Sequence, residues 1–161
     1  MDDIFTKLKR LFAQGSFLIK LIFVNIAIFL LVRLTIVILT LFQIGEVHFL
    51  QYLEMPSSFS LLLYRPWTII TYMFMHIDLL HLVFNMLWLY WFGKIFLMFF
   101  NERQLGGLYF SGGIAGALLF LIDYSLFPYF QNVVGTSYLL GASASVMAIV
   151  FAISFYQKNY E

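Results

Sequence analysis

The stretch from Leu21 to Phe42 contains one charged side chain, Arg33, and is otherwise almost wholly apolar. A helix of about 20 apolar residues crosses the hydrocarbon core of a bilayer, so this stretch predicts a transmembrane helix. The rest of the chain has the same character, since 63% of its residues are hydrophobic and 11% are charged. Soluble chains average about 25% charged residues, which excludes this sequence from that class.

Three further apolar stretches predict spans, and the length of 161 residues leaves room for about four in total. We therefore expect an all-α, polytopic transmembrane helical bundle. Its predicted spans are residues 21–42, 79–99, 105–122 and 140–156. A loop over residues 45–78 separates the first two spans, and because it is too long for a tight turn we expect it to be structured. It contains a short helix candidate at Val47–Leu53 and a predicted turn at Met55–Ser58.

The N-terminal segment, residues 1–15, predicts an amphipathic helix. Apolar residues recur there at helical spacing and basic residues lie opposite them, namely Ile4, Leu8, Leu11 and Phe12 against Lys7, Lys9 and Arg10. Such a helix is typical of a membrane surface. Most basic residues that flank the predicted spans lie on the side of this segment, and Arg65 alone lies on the other. The positive-inside rule therefore predicts that both termini are cytoplasmic and that the loop over residues 45–78 faces outward.

The remaining composition excludes several kinds of site. The chain has no cysteine, so it has no thiolate nucleophile, disulfide framework or cysteine metal site. Its net charge of +1 offers no basic surface for nucleic acid. We expect the lipid bilayer as its partner.

Two polar side chains share a face at the start of the second predicted span. His81 and Asn85 are four residues apart, and residues at that spacing are neighbours on a helix. Polar groups in a span are costly unless they meet partners or water. These two residues alone leave two interpretations open, which are hydrogen bonding between helices and a functional site.

A second cluster, Gly141-Ala142-Ser143-Ala144-Ser145, opens the fourth predicted span. The N–H groups of a first helical turn are free to bind a developing oxyanion, and Gly141 lets another backbone approach closely. Ser143 is the better candidate for a nucleophile, because it follows Gly-Ala at the start of the helix while Ser145 lies most of a turn deeper. The alternative for Ser143 is a helix cap or a small packing residue.

Together and in this order, the two clusters resemble the rhomboid family of intramembrane serine proteases. The matching positions are Trp67, then His76, His81 and Asn85, then Gly112, Gly113 and Gly116, and finally Gly141, Ala142, Ser143 and Ala144. The resemblance covers the chain from about Gly15 onward and is bacterial in type. It divides the chain into a cytoplasmic amphipathic N-terminus, residues 1–15, and a partial rhomboid-like membrane domain, residues 16–161.

The resemblance implies an activity and a place in the cell. Ser143 would attack the scissile carbonyl, while His81 and Asn85 would help to stabilise the oxyanion. The family cleaves transmembrane segments of other membrane proteins and uses no metal or cofactor. A bacterial member would be an integral, multi-pass protein of the cytoplasmic (inner) membrane.

Further roles follow from the same resemblance. His76, Gly141 and Ala142 would line the site, although for His76 a structural role is the alternative. Trp67 would anchor the loop over residues 45–78 in the outer leaflet, as interfacial tryptophans do.

Four residues depart from the family pattern. Thr68 stands where the family often has arginine after the loop tryptophan, and Leu97 and Met98 stand where an acidic residue is expected. Ala144 replaces a glycine that many members have, and it is small enough to preserve the turn.

The general base of the family is a histidine in a later span, and this chain has no residue that matches it. His48, His76 and His81 all precede Ser143, and a serine hydroxyl without a base is a poor nucleophile. We therefore expect that these 161 residues alone do not cleave, and that they are the portion of a longer protease that ends after the fourth helix. A natural short form is the alternative, and as a catalytically dead rhomboid-like protein it would bind transmembrane helices.

Overall fold

A bundle of helices forms the molecule, and the computed structural model describes residues 3–44 and 48–158. The α-helices within these ranges are α1 (Ile4–Gln14), α2 (Phe17–Leu41), α3 (Phe59–Tyr64), α4 (Thr68–Thr71), α5 (Leu79–Phe99), α6 (Glu102–Leu126) and α7 (Ser143–Lys158). Two short strands, β1 (Met55–Pro56) and β2 (Tyr138–Leu139), and 3-10 helices at His48–Tyr52, Tyr72–Phe74 and Pro128–Val133 lie in the connections. Three helices, α2, α5 and α6, are long and apolar enough to cross a membrane. The predicted all-α membrane bundle is confirmed.

The second span, residues 79–99, begins and ends as predicted. The first begins earlier than predicted, and the third extends further at both ends, from Glu102 to Leu126. α2 begins at Phe17 because the Ser16 hydroxyl caps it by accepting a hydrogen bond from the Ile19 N–H at 3.4 Å. α6 begins at Glu102 because Asn101 and Gln104 form a capping box, in which each side chain accepts a hydrogen bond from the backbone N–H of the other. Satisfied end groups of this kind determine where a helix starts.

The fourth predicted span, residues 140–156, begins later than expected. Residues 138–139 form β2, and Gly141 has φ +112°, which is not a helical conformation. α7 therefore starts at Ser143 and has 16 described residues, fewer than the about 20 of a span perpendicular to the bilayer.

Small residues let α6 and α7 approach closely. A Cβ built on Gly112 would lie 2.3 Å from the Cβ of Ala148, and a Cβ on Gly116 would lie 2.5 Å from that of Ala144. Transmembrane helices associate through faces of small residues because lipid provides no hydrophobic driving force between helices, and close van der Waals contact stabilises the pair instead. α5 contacts both α2 and α7, and His81 in its first turn lies against Gly141, just before α7.

The described part of the loop between α2 and α5 from residue 48 onward is structured, as predicted, but it contains a strand where a turn was expected. β1 pairs antiparallel with β2 in the register Met55 to Leu139 and Pro56 to Tyr138. Ser57 extends this contact, because its hydroxyl accepts a hydrogen bond from the Gly135 N–H at 2.9 Å. The prediction of a turn at Met55–Ser58 was wrong, because Met55 and Pro56 form a strand. The local sequence could not indicate this strand, since its partner lies more than 80 residues later in the chain.

Two other predicted segments are only partly described. Val47 of the predicted helix Val47–Leu53 lies outside the described residues, and from His48 to Tyr52 the chain forms a 3-10 helix. α1 confirms the predicted N-terminal helix over Ile4–Gln14, while Met1 and Asp2 lie outside the described ranges.

Arg33 contacts the protein from within α2. Its guanidinium donates a hydrogen bond to the backbone carbonyl of Ile77 and lies 5.4 Å from the ring centroid of Phe29. Ile77 directly precedes Asp78, the residue that caps α5. Arg33 therefore tethers the start of α5 to α2.

Candidate active site

His81 and Asn85 lie in the first two turns of α5. The Asp78 carboxylate caps this helix by accepting a hydrogen bond from the His81 N–H at 2.8 Å. One turn later, the Asn85 amide donates a hydrogen bond to the His81 carbonyl at 2.9 Å. His81 is partly exposed and Asn85 is buried, so both side chains have defined positions on one face of α5.

The turn before α7 brings the serine cluster against His81. Gly141 donates its N–H to the carbonyl of Tyr72 at 2.9 Å. A Cβ built on Gly141 would lie 2.7 Å from Cε1 and 2.8 Å from Nε2 of His81. Only glycine combines this positive φ with so close a neighbour, and Ala142, the next residue, is fully buried.

Ser143 is the first residue of α7 and is exposed. It lies with Asn85 in the wall of a cavity of about 180 Å³ between α5 and α7, whose other lining residues are Phe84, Trp88, Val146 and Met147. The first hydrogen bond of the helix runs from the Val146 N–H to the Ala142 carbonyl at 2.9 Å. The backbone N–H groups of residues 143–145, which precede Val146, have no acceptor within the helix. They are therefore available to a bound group.

Ser145 has a different environment from Ser143. It is fully buried, and a Cβ on Gly113 of α6 would lie 2.7 Å from its hydroxyl oxygen. This hydroxyl has no hydrogen-bond partner among the described residues. Ser145 therefore belongs to the contact between α6 and α7, whereas Ser143 faces the cavity.

His76 lies behind His81. The two rings have centroids 5.1 Å apart, and His76 Nδ1 is 3.2 Å from the Phe74 carbonyl oxygen. Burial lowers the pKa of His76 to about 4, and the nearby His81 acts in the same direction while the Phe74 carbonyl opposes it. His76 is therefore neutral at neutral pH and also lines a smaller cavity of about 80 Å³, which Arg33 and Glu54 share.

Trp67 belongs to the folded loop. It is half-exposed, its indole N–H donates a hydrogen bond to the Tyr52 carbonyl at 2.7 Å, and it does not line the cavity of Ser143. These contacts show how Trp67 is held, and its predicted role as a membrane anchor stays a prediction.

Tyr72 was missed by the reasoning from sequence. Its carbonyl accepts the Gly141 N–H, and its hydroxyl donates a hydrogen bond to the Gly113 carbonyl at 2.6 Å. Tyr72 thereby connects the turn before Ser143 to α6. In the sequence, only the presence of a tyrosine within an apolar loop could have indicated this connection, because a buried tyrosine hydroxyl usually has a hydrogen-bond partner.

The arrangement provides a nucleophile and hydrogen-bond donors. Ser143 brings a hydroxyl and Asn85 an amide to one cavity, the first turn of α7 adds backbone N–H groups, and His81 contacts Gly141 in the turn before them. No histidine, aspartate or glutamate is among the residues that line the cavity of Ser143. Among the described residues, the cavity therefore combines a hydroxyl with hydrogen-bond donors and has no side chain in its lining that could act as a base.

Comparisons with known proteins identify the family of this chain. The family model of the Rhomboid domain matches residues 64–160, which is more than half of the chain. Rhomboid-like protein 16, chloroplastic, from Arabidopsis thaliana is 36% identical over 72 residues, which are 45% of this chain and 22% of that protein. RHOMBOID-like protein 12, mitochondrial, from the same plant is 40% identical over 61 residues, 38% of this chain and 18% of that protein.

The matched segments span about a fifth of the length of these relatives, and no solved structure gives a significant match. The matched domain begins in the loop before Trp67 and contains His76, His81, Asn85 and Ser143. The chain is a multi-pass membrane protein that belongs to the rhomboid family.

Proposed function

We propose that Ser143 is the nucleophile of an intramembrane serine endopeptidase that cleaves transmembrane segments of membrane proteins. The Ser143 hydroxyl would attack the scissile carbonyl, lose its proton to a base and form an acyl-enzyme. The released amine would take up a proton, and water would then hydrolyse the ester. His81 and Asn85 would stabilise the negative oxygen of the tetrahedral intermediate.

One observation supports this proposal above the others, which is the contact of His81 with Gly141. The turn that presents Ser143 rests on the His81 ring, and Ser143 and Asn85 line one cavity. Asn85 uses one amide hydrogen for the His81 carbonyl and keeps a second one for a ligand. Removing one such hydrogen-bond donor from a serine protease lowers its catalytic rate by a factor of about 10²–10³.

We further propose that the 161 residues alone are inactive, because no histidine or carboxylate among the described residues lines the cavity of Ser143. Of the two histidines near the serine turn, His76 lies behind His81 and does not line the cavity of Ser143. His81 is the other histidine near the serine turn, and its place on the face of Asn85 favours the role of a donor to the oxyanion.

The orientation in the membrane is part of the proposal. The distribution of basic residues places both termini in the cytoplasm and the loop over residues 45–78 outside. The cavity of Ser143 would then open near the outer leaflet of a bacterial cytoplasmic membrane.

A second candidate function is binding of transmembrane helices without cleavage. The absence of a histidine or carboxylate from the described lining of the Ser143 cavity favours it, while the close contact of α6 with α7 and the folded loop serve both functions. The two candidates differ in one property, which is whether the Ser143 hydroxyl can be acylated or phosphonylated.

A fluorophosphonate probe with imidazole as an added base tests this property. The purified chain in lipid nanodiscs should label slowly in buffer and faster with imidazole, because imidazole substitutes for the missing general base. Ser143→Ala should abolish the labelling. Ser145→Ala is the matched control, and it should label normally because Ser145 is buried between α6 and α7.

Three outcomes would contradict parts of the proposal. Labelling that survives in Ser143→Ala would show that another residue is the nucleophile. Cleavage of a transmembrane peptide by the 161 residues without added base would show that the proposed inactivity is wrong. Failure of a folded sample to label even with imidazole, together with binding of the same peptide, would favour the helix-binding protein.

A further inference from the structure

The imidazole of His76 has one nitrogen that needs a hydrogen-bond donor. Nδ1 lies 3.2 Å from the Phe74 carbonyl oxygen, and because a carbonyl only accepts, Nδ1 carries the proton of the neutral ring and Nε2 is an acceptor. His76 is 6% exposed, and its Nε2 has no hydrogen-bond partner among the described residues. A buried acceptor without a donor is costly, so a donor from outside the chain would stabilise this ring.

The cavity of about 80 Å³ that His76 lines has room for such a donor. A bound water molecule needs about 10–15 Å³ of cavity volume and two to four polar partners, so several water molecules fit by size. The lining comes from α2, from the loop over residues 45–78 and from Leu140, the residue before Gly141. The cavity therefore lies behind the turn that presents Ser143.

Two other polar side chains line this cavity, Arg33 of α2 and Glu54 of the loop. The Arg33 guanidinium donates to the Ile77 carbonyl, and because a guanidinium has several N–H groups it keeps others for a water oxygen. The Glu54 carboxyl offers an acceptor oxygen in either protonation state. Water donates two hydrogen bonds and accepts others, which matches the donor Arg33 and the acceptors Glu54 and His76.

We propose that this cavity binds ordered water that joins Arg33, Glu54 and His76. A water molecule donates to His76 Nε2, the Glu54 carboxyl accepts from the same group of water molecules, and the Arg33 guanidinium donates to it. The bound water connects α2 and the loop to the ring that packs against His81, and it keeps the proton of His76 on Nδ1. The site does not depend on the proposed activity at Ser143.

X-ray footprinting of the full chain in lipid nanodiscs tests this proposal, with a scavenger in the buffer that removes radicals from bulk water. Radiolysis splits bound water in place, and the hydroxyl radical oxidises a neighbouring methionine to its sulfoxide. Met75 lines the cavity and Met73 does not, although both are buried. Tandem mass spectrometry should therefore show that Met75 is oxidised several times faster than Met73. Equal rates would overturn the proposal.

Glu54→Leu should slow the oxidation of Met75 several-fold, because it removes one polar partner of the water. Glu54→Gln keeps a hydrogen-bonding side chain and should retain most of the rate. Glu46→Leu is the matched control, since it removes another carboxylate of the same loop, although Glu46 lies outside the described residues. Thermal midpoints check that the variants fold. An unchanged rate in Glu54→Leu, or equal slowing in Glu46→Leu, would overturn the proposal.

A second measurement needs no variant. Nitrogen NMR of the chain labelled at histidine should show that the His76 proton is on Nδ1 and that Nε2 accepts a hydrogen bond. A proton on Nε2 would overturn the proposal, because Nε2 could not then accept from water.

Discussion

The imidazole of His81 rests on the α-carbon of Gly141, so closely that a Cβ on Gly141 would lie 2.7 Å from His81 Cε1. These residues are 60 positions apart in the chain and belong to α5 and to the turn before α7. Through this contact, the helix that carries Asn85 supports the turn that presents Ser143. The contact therefore determines the geometry of the proposed site.

Gly141→Ala should destabilise the protein and displace His81. The cost should be about 2–4 kcal/mol, because the positive φ and the steric conflict both contribute. Gly135→Ala is the control, since Gly135 also has a positive φ, +84°, but a Cβ there would meet nothing within 4 Å. It should cost about 1–2 kcal/mol. Unfolding in detergent micelles measures both, and equal losses would show that the His81 contact is unimportant.

Gly112→Ala should weaken the contact between α6 and α7, because the new Cβ would lie 2.3 Å from that of Ala148. Overfilled contacts of this kind cost about 1–3 kcal/mol. Gly107→Ala in the same helix meets nothing within 4 Å and should leave the stability unchanged or slightly higher. Thermal midpoints of the two variants compare them directly, and the reverse order would contradict the proposed close approach.

Arg33→Leu should destabilise the protein by about 1–3 kcal/mol, because it leaves the Ile77 carbonyl without its charged donor. If Arg33 only extended towards the membrane surface, the same change would be neutral or stabilising, since it removes a charge from a span. The sign of the change in unfolding free energy therefore decides between the two roles. Ile77→Ala keeps the carbonyl and is the control, and it should have a small effect because this side chain is 63% exposed.

Acidification should destabilise the protein through His76. Its pKa is lowered from 6.5 to about 4 in the folded state, so the unfolded chain takes up a proton first. The resulting loss begins as the pH falls below about 6.5, grows towards pH 4 and then stays constant. A shift of this size corresponds to at most about 3 kcal/mol.

His76→Gln should remove this loss of stability. The free energy of unfolding of both proteins at pH 7.5, 6 and 5 measures it, since the difference between them should change as the pH falls. The other titratable or charged groups beside His76 are His81, which contacts its ring, and Arg33 and Glu54, which line the same cavity. Burial raises the pKa of Glu54, so Glu54 acts in the opposite direction as the pH falls. An identical pH dependence in His76→Gln would contradict this prediction.

The second span could be predicted to the residue because its ends are marked locally. Asp78 caps α5, and a polar connection with Asn101 follows its last residue, Phe99. The fourth helix was placed too early because its start depends on β2, whose partner β1 lies more than 80 residues earlier in the chain. Hydropathy continues through residues 140–142, and nothing local shows that Gly141 leaves the helical conformation.

The candidate site could be predicted in its residue types but not in its contacts. The spacing of His81 and Asn85 and the position of Ser143 at a helix start are properties of short segments. That Ser143 is exposed to a cavity while Ser145 is buried against Gly113 depends on the rotation of α7 about its own axis. Tyr72 was missed because its two hydrogen bonds join a loop to α6 and to the turn at Gly141.

The sequence by itself determined that this chain is a helical membrane protein with a serine at one helix start and a histidine and asparagine on another. Hydropathy and the helical period determine these features, because they act over fewer than about 20 neighbouring residues. Only the tertiary structure decided that His81 supports Gly141, that Arg33 holds Ile77, and that β1 pairs with β2. Each of these contacts joins distant parts of the chain, and its distance depends on how the helices pack, rotate and shift against one another.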